Sequence, residues 1–548
     1  MNKKSTFPLI FSILFSLSAC NSTAFAESAD TSVDTAQTES TDSASAVSAT
    51  DMFTDRDLEI GYDEETSAKI TLSGNSASSD SDAVQISGST VTITDEGTYI
   101  ISGTLDDGMI MINAEDTDKI QLVLDGAQIT SSTSAAIYVL EADKVFITTA
   151  SGSENTLSNG GEYVAIDDNN IDAVIFSKAD LTLNGAGTLT INASAGHGIV
   201  SKDDLVFTSG TYHITAADHG ISGKDSVRIA DGTFSIVSGK DGIHAENADD
   251  TSLGFLYVAN GTFEITAEGD GMSAGAYLQI EDGTFNVITG EGSSSVTMTT
   301  DTMNFAQRGM FHAKADTTET TATTETAATT KNTATTENTA TTETEESVSQ
   351  KGIKSDGDIT IINGNFVTDT VDDAFHAGGN IFITTGEYNL KSGDDAIHSD
   401  AAITIQDGNF NISYCYEGIE GMSITINGGT YDIASNDDGL NAAGGTDSSG
   451  LSNGSPQQDH FSTNSDSFIT INDGSLTIVS NGDCIDSNGD LTINGGTLNL
   501  NCTGSGNTTL DTDGTYTNNS GDITTNDNAE SQTNFPGGGK SRGSRVAP

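Results

Sequence analysis

Carboxylates recur immediately before a turn glycine or alanine along much of this chain. They are Asp241, Asp270, Asp372-Asp373, Asp394-Asp395, Glu417, Asp437-Asp438 and Asp483. If successive copies of the turn stack at the inter-strand spacing of about 4.8 Å, these groups form a column. Neighbours at that distance repel by about 1 kcal/mol in water and several-fold more near a protein surface. Such a column needs cations. Carboxylates, turn carbonyls and water are hard oxygen donors that suit calcium, so Asp241, Asp270, Asp372, Asp373, Asp394, Asp395, Asp437 and Asp438 are the expected ligands. A second reading is local: Asp and Asn cap turn backbone with their own side chains. That accounts for one Asp per turn, and less well for the pairs at 372, 394 and 437. No EF-hand loop and no tandem Gly-Gly-x-Gly-x-Asp repeat occurs.

Two residues past the turn glycine come His244, Lys354, His376, His398, Glu420, Asn441 and Asp486. With carboxylates around them and no cysteine, His376 and His398 suit a solvated or sugar-contacting role better than zinc. Tyr414 and Tyr416, beside Glu417, are candidates for stacking on a sugar ring, although Tyr414 turning inward is equally open. Lys354, His376, His398, Tyr414 and Tyr416 are therefore the expected glycan contacts. Lys240, Lys354 and Lys391 lie next to the acidic turns. They are either plain ion pairs or, in β-elimination on a uronate, the base that takes the α-proton. No local motif suggests a Ser-His-Asp or Cys-His arrangement.

What positions these groups is a repeat of about 22 residues. Its clearest unit runs Asp-Gly/Ala-Ile-His, then Ile-x-Ile, then Gly-Thr-Phe/Tyr-x-Ile. The aromatic position recurs at Tyr212, Phe234, Phe263, Phe285, Phe366, Tyr388, Phe410 and Tyr431, with Leu476 and Leu498 after it. Apolar residues alternate with period two, as in Ile403-Thr404-Ile405, which marks strands with one buried face. Three short strands per unit, broken by Asp-Gly or Asn-Gly turns, match one triangular coil of a parallel β-helix. The aromatic position then becomes an internal ladder of stacked rings. About fourteen coils would give a rod of roughly 65 Å.

The chain holds 20 basic and 80 acidic residues, a formal charge of −60, with 59 glycines, 4 prolines and no tryptophan. That charge excludes nucleic-acid binding through a basic surface. Residues 1–19 read as a secretion signal: Lys3 and Lys4, then an apolar stretch too short to span a bilayer. The signal ends Leu17-Ser18-Ala19-Cys20, which looks like a lipoprotein cleavage box. Cys20 would then carry the lipid and provide the only membrane attachment, at the outside of a bacterial cell. Ordinary cleavage after Ala24-Phe25-Ala26 is the alternative. Residues 20–50 read as a disordered tether, 51–290 as an N-terminal cover (Asp51–Ser73) followed by coils, and 291–350 as a Thr/Glu-rich disordered insertion. Residues 351–515 read as coils interrupted by a loop at 442–467, and 516–548 as a disordered tail. Cys484 occupies a position held elsewhere by Gly or Ala, which suits a small buried thiol. A monomer is expected.

The segment Phe53–Gly74, the run Gly97-Thr98-Tyr99-Ile100-Ile101-Ser102-Gly103 and the repeated Asp-Gly-Ile-His turns together resemble a known family. It is the family of bacterial carbohydrate-binding β-helix proteins, once classed as a domain of unknown function. The resemblance covers residues 51–515 apart from the insertions. It implies an all-β, right-handed parallel β-helix similar to pectate lyases, bound calcium, and affinity for cellulose and pectate-like polymers. By resemblance the calcium positions fall on Asp372, Asp373, Asp394 and Asp395, and match less closely at Glu417 and Asp483, where the pair is broken. The expectation is a calcium-stabilised surface protein that captures polysaccharide. A calcium-dependent lyase and a glycan-independent adhesin or spacer are the alternatives.

Overall fold

The computed structural model describes residues 51–298, 349–443 and 467–531. The expected signal, Cys20, the tether and most of both insertions lie outside the described residues. What is described is a parallel β-helix. Short strands return in the same order coil after coil and build three parallel sheets. We call them the aromatic sheet (the Gly-Thr-Phe-x-Ile strands), the turn sheet (the strands after the acidic turns) and the middle sheet (the Ile-x-Ile strands). Among the described residues, fourteen successive parallel pairings join fifteen strands of the aromatic sheet from Gly97–Leu105 to Asp522–Thr525, one more than the expected number of coils.

Alternation decides which side chains go inside. Thr262–Ala267 alternates exposed and buried, with Phe263, Ile265 and Ala267 inward. Ring centroids from Tyr212 to Tyr431 stack at 4.4 to 5.1 Å, nearly parallel. Offset-stacked rings contribute about 0.5–1.5 kcal/mol per pair beyond their buried area. The ladder tyrosines keep their hydroxyls satisfied: those of Tyr388 and Tyr431 donate to the carbonyls of Thr385 and Gly428, each at 3.0 Å. The glycine two residues before each ring is required. At Gly364, φ is +153° and an added Cβ would lie 2.6 Å from the Phe366 ring.

Neither insertion disturbs the register. Phe285 pairs with Phe366 across the first, and Tyr431 with Leu476 across the second. Two sequence expectations need correction. The tail does not begin at residue 516, because Tyr516–Asn518 and Asp522–Thr525 are strands that extend the middle and aromatic sheets. Their Asp and Asn content hides a half-buried apolar pair, Tyr516 and Ile523, packed on the core.

The second correction concerns Asp51–Ser73, which does not simply cover the end. Ala68–Gly74 pairs with residues 99–105 as the outermost parallel strand. Residues 52–61 instead form a strap along the outer face of the middle sheet. Arg228 donates to the Met52 carbonyl, and Phe53 meets the Tyr257 ring at 6.0 Å. Arg56 lies 4.2 Å over the Phe146 ring, and Gln121 donates to the Gly61 carbonyl.

Asp57, only 2% exposed, pins the strap. Its carboxylate meets Lys144 at 2.8 Å and accepts from Thr182 at 2.6 Å. Burial alone would raise this carboxyl, but bonds from Lys144, Thr182 and Thr54 hold it down at about 2. A lowered folded pKa contributes stability above the unfolded value of 3.8, lost as pH falls through about 2. We expect the strap to become protease-sensitive between pH 4 and pH 2, with loss of about 2 kcal/mol. An unchanged strap at pH 2 in limited pepsin digestion contradicts this.

Candidate functional site

The acidic turns form one continuous column where the aromatic strand bends into the turn sheet. At this corner the backbone N–H of each column residue lies outside the sheet ladders and needs an acceptor. The side chain one coil back supplies it. His219 N–H donates to His197 Nδ1, and Asp241 N–H to His219 Nδ1, both at 3.1 Å. Asp270 and Lys351 donate to Asp241 Oδ1 and Asp270 Oδ1, both at 2.8 Å. The relay continues from Asp395 to Asp373 (2.9 Å), Glu417 to Asp395 (3.1 Å) and Asp483 to Asp438. One oxygen of each relay carboxylate therefore caps the next coil. This is neither local turn capping nor metal ligation.

The second oxygen divides the column into two halves. In the first half a histidine three residues on takes it. His244 Nδ1 meets Asp241 Oδ2 at 2.7 Å, His376 meets Asp373 at 2.8 Å and His398 meets Asp395 at 3.1 Å. Burial and the adjacent His244 push His219 down to about 3, so it is neutral. Burial alone would neutralise His398 as well. The carboxylates of Asp395, Asp400 and Glu420 instead hold it protonated, its pKa well above the usual value.

Lysine supplies the remaining charge. Lys351, 1% exposed, occupies the column in place of an acid, and its ammonium lies 2.9 Å from Asp372 and 2.7 Å from Asp373. A lysine cannot accept the next N–H, so Asp372 Oδ1 takes that of Asp373 at 3.0 Å. The doubled aspartate at 372–373 thus answers the lysine before it. Asp270 accepts from Ser349, with Lys354 3.7 Å away. Burial, followed by Asp241, raises its carboxyl to about 6.

From Glu417 onward the partners change. Glu420, Asn441 and Asp486 stand in register where His398 and His376 stood. No lysine or arginine occurs between Lys391 and Lys540. Glu417 and Glu420 are buried, with Asn441 donating to both. Burial, followed by repulsion from Glu420 and then from Asp395, Asp438 and Asp437, raises Glu417 well above the usual carboxylate range. Asp438 is raised the same way, by burial and then by Asp486, Asp437 and Asp483. One ligand-type oxygen from each of Asp483, Asp486 and Asp511 lies within 4.8 Å of the other two. The same holds for ligand atoms of Asp395, His398 and Glu420. The first of these groups gathers hard oxygen donors without a basic side chain, which is the donor chemistry of calcium, whereas the second includes the protonated His398.

The expected ligands are thus redistributed. Asp241, Asp270, Asp372, Asp373 and Asp395 are engaged by histidine, lysine or backbone. Asp394 lies beside Asp372 and Asp373, where a ligand atom from each sits within 4.8 Å of the others. Asp437 and Asp438 fall in the acid-rich half. Glu420 and Asp486 were outside the expected ligand set, and Glu417 and Asp483 matched the calcium pattern only with the acidic pair broken. Their signal was a change from Asp-x-x-His to Glu-x-x-Glu and Asp-x-x-Asp, in a stretch without lysine or arginine.

The glycan contacts need more correction. His376 and His398 are buried and paired to aspartates, so neither offers a surface to a sugar. Tyr414 is half-buried and its hydroxyl approaches the Val296 carbonyl at the start of the first insertion, at 3.5 Å. Tyr416, also half-buried, donates its N–H to the Asp394 carbonyl. Lys354 lines an open cleft of about 310 Å³ with His219, Lys240, Asp241, His244 and Asp270. Each candidate lysine base faces a carboxylate: Lys240 with Asp218 at 3.5 Å, Lys354 with Asp270 and Asp356 at 3.7 Å, and Lys391 with Asp369 at 3.8 Å. Cys415, Cys484 and Cys502 are all free, the first two buried.

A parallel β-helix with an acidic corner column defines a class of repeat-built solenoid proteins. Residues 87–396, 378–459 and 395–539 match the family of carbohydrate-binding domain-containing proteins, and the chain belongs to that family. A relative of that description from Acetivibrio thermocellus is 37% identical over 155 residues, 28% of this chain and 54% of the relative. The chain thus spans about half the length of the curated relative it matches. A solved structure, a gadolinium derivative of the polysaccharide lyase-like protein from C. thermocellum, shares 34% identity. The match covers 41% of this chain and 92% of that one, with a TM-score of 0.40.

Proposed function

We propose that this protein captures polysaccharide outside a bacterial cell, as a monomeric rod tethered through lipid on Cys20. Calcium in the acid-rich half of the column would stabilise the rod and bridge it to acidic glycan. Membership of the carbohydrate-binding family supports the polysaccharide part. The observation that carries the calcium part is the crowding of Glu417, Glu420 and Asp438 in a stretch without lysine or arginine. Glu417, Glu420, Asp438, Asp483 and Asp486 would hold the ion, with Asn441 orienting the two glutamates. Calcium supplies positive charge that a −60 chain lacks, and with it a bridge to a polyuronate of like sign.

A lyase reading draws less support, because its candidate lysines already face carboxylates. The test is retention on pectate, cellulose and a soluble neutral glycan, with calcium and with chelator. We expect retention on pectate in calcium and loss in chelator. Release of unsaturated uronides would favour the lyase instead, and equal retention in both buffers would sink the calcium bridge.

A further inference from the structure

The strap shows that the outer face of the middle sheet holds a chain segment lying along the rod. Its ten residues cross the row Gln121, Phe146, Thr182, Val206, Arg228 and Tyr257, one residue per stacked coil. Five inter-strand steps span about 24 Å, and the segment covers them with one turn at its centre, where the Asp57 and Leu58 N–H groups donate to the Thr54 carbonyl. Beyond Tyr257 the same row continues through Gln279 and Thr360, both buried, to Phe382. From there it runs Thr404, Thr425, Thr470, Thr492 and Thr517, in unbroken register and partly open.

We propose that this open half of the middle sheet is a polysaccharide site separate from the acidic column, and that it takes a neutral glycan chain lying along the rod axis. The proposal rests on the carbohydrate-binding reading but not on calcium. Three observations carry it. The first is continuity with the strap, which occupies the same face a few coils earlier. The second is an open cavity of about 510 Å³ over this row, where Thr470 and Thr492 meet Phe468, Asn488, Asp490 and Asp513. Phe468 is 39% exposed, and an exposed ring beside hydroxyl, amide and carboxylate groups is the equipment for stacking on a sugar and bonding its hydroxyls. The third is charge. With Asp490 and Asp513 on its flank and no lysine or arginine from residue 392 to 539, the groove repels uronate and favours an uncharged chain.

The test uses the full chain on insoluble cellulose and, separately, on pectate in calcium. Phe468→Ala removes an exposed ring, and Thr425→Glu with Thr470→Glu removes two hydroxyls and fills the groove with longer side chains. Each variant should lose at least tenfold in retention on cellulose and keep its retention on pectate. Unchanged retention on cellulose overturns the proposal, as does a wild type that cellulose does not hold, the result expected if residues before Asp51 fill the groove. Loss of both ligands by Phe468→Ala, with the thermal transition intact, overturns the separation of the two sites. If pectate fails to hold the wild type while cellulose does, the calcium bridge falls and this groove stands.

Discussion

Replacing Lys351 with methionine is expected to destabilise the rod by about 3–5 kcal/mol, the usual cost of stranding one side of a buried ion pair. The ammonium lies within 3 Å of both Asp372 and Asp373 and has almost no exposure, so water cannot take its place. Asp373 is held far below the usual carboxylate range: burial opposes ionisation, and Lys351 and then His376 outweigh it. Without the lysine, two buried carboxylates face each other. Adding Asp372→Asn and Asp373→Asn to Lys351→Met should recover most of the loss, because neutral groups of the same shape leave no buried charge and asparagine still accepts the N–H of the next coil. Calcium should rescue the single variant in part and the triple variant not at all. Thermal unfolding of the three proteins with and without calcium reads all of this. A single variant as stable as the wild type would show that the lysine is not the column's internal cation.

The second large effect has opposite signs in two buffers. In chelator, Glu417→Gln should raise stability at pH 7, because the buried carboxyl is crowded by its acidic neighbours. Glutamine keeps an oxygen for Asn441 and removes one of the crowded charges. In calcium the same change should lower stability, because a ligand is lost. The pH dependence follows the same logic. Glu417, Glu420 and Asp438 have folded pKa values raised above their unfolded ones. Their contribution is therefore fully present below the unfolded values of 4.5 and 3.8, and is lost as pH rises through the folded ones. Chelated protein should become less stable from pH 4 upward, and calcium should flatten that slope. A chelated protein that gains stability over this range would contradict the crowding.

Much of the fold was legible because stacking converts a sequence period into a spatial ladder. Phe263, Phe285 and Phe366 could be placed above one another despite the insertion between the last two, because each carries the same Gly-Thr-Phe or Gly-Asn-Phe context. The strap was not legible. Residues 52–61 carry no period, and their partners lie far along the chain, 176 positions away for Met52 and Arg228 and farther still for Phe53 and Tyr257.

The site was half legible. Spacing placed the carboxylates in one column but could not say what each oxygen would meet. The doubled aspartate at 372–373 suggested a metal because Lys351 sat at the edge of a low-complexity insertion, away from any visible partner. His376 and His398 suggested a surface role because a strand position after an inward isoleucine points outward. The corner column buries that outward position. The replacement of His by Glu420, Asn441 and Asp486, in a stretch with no lysine or arginine from residue 392 to 539, was in plain view and marks the acid-rich half.

The central claim, that calcium belongs to the second half of the column, is tested most directly by calorimetric titration of calcium into the full chain. Three proteins decide it: wild type, Glu417→Gln with Asp438→Asn, and Asp241→Asn. The account predicts that wild type and Asp241→Asn bind calcium alike, while the double variant loses at least one site. Loss of binding in Asp241→Asn with the double variant unaffected would place the ion in the histidine-paired half and contradict the account.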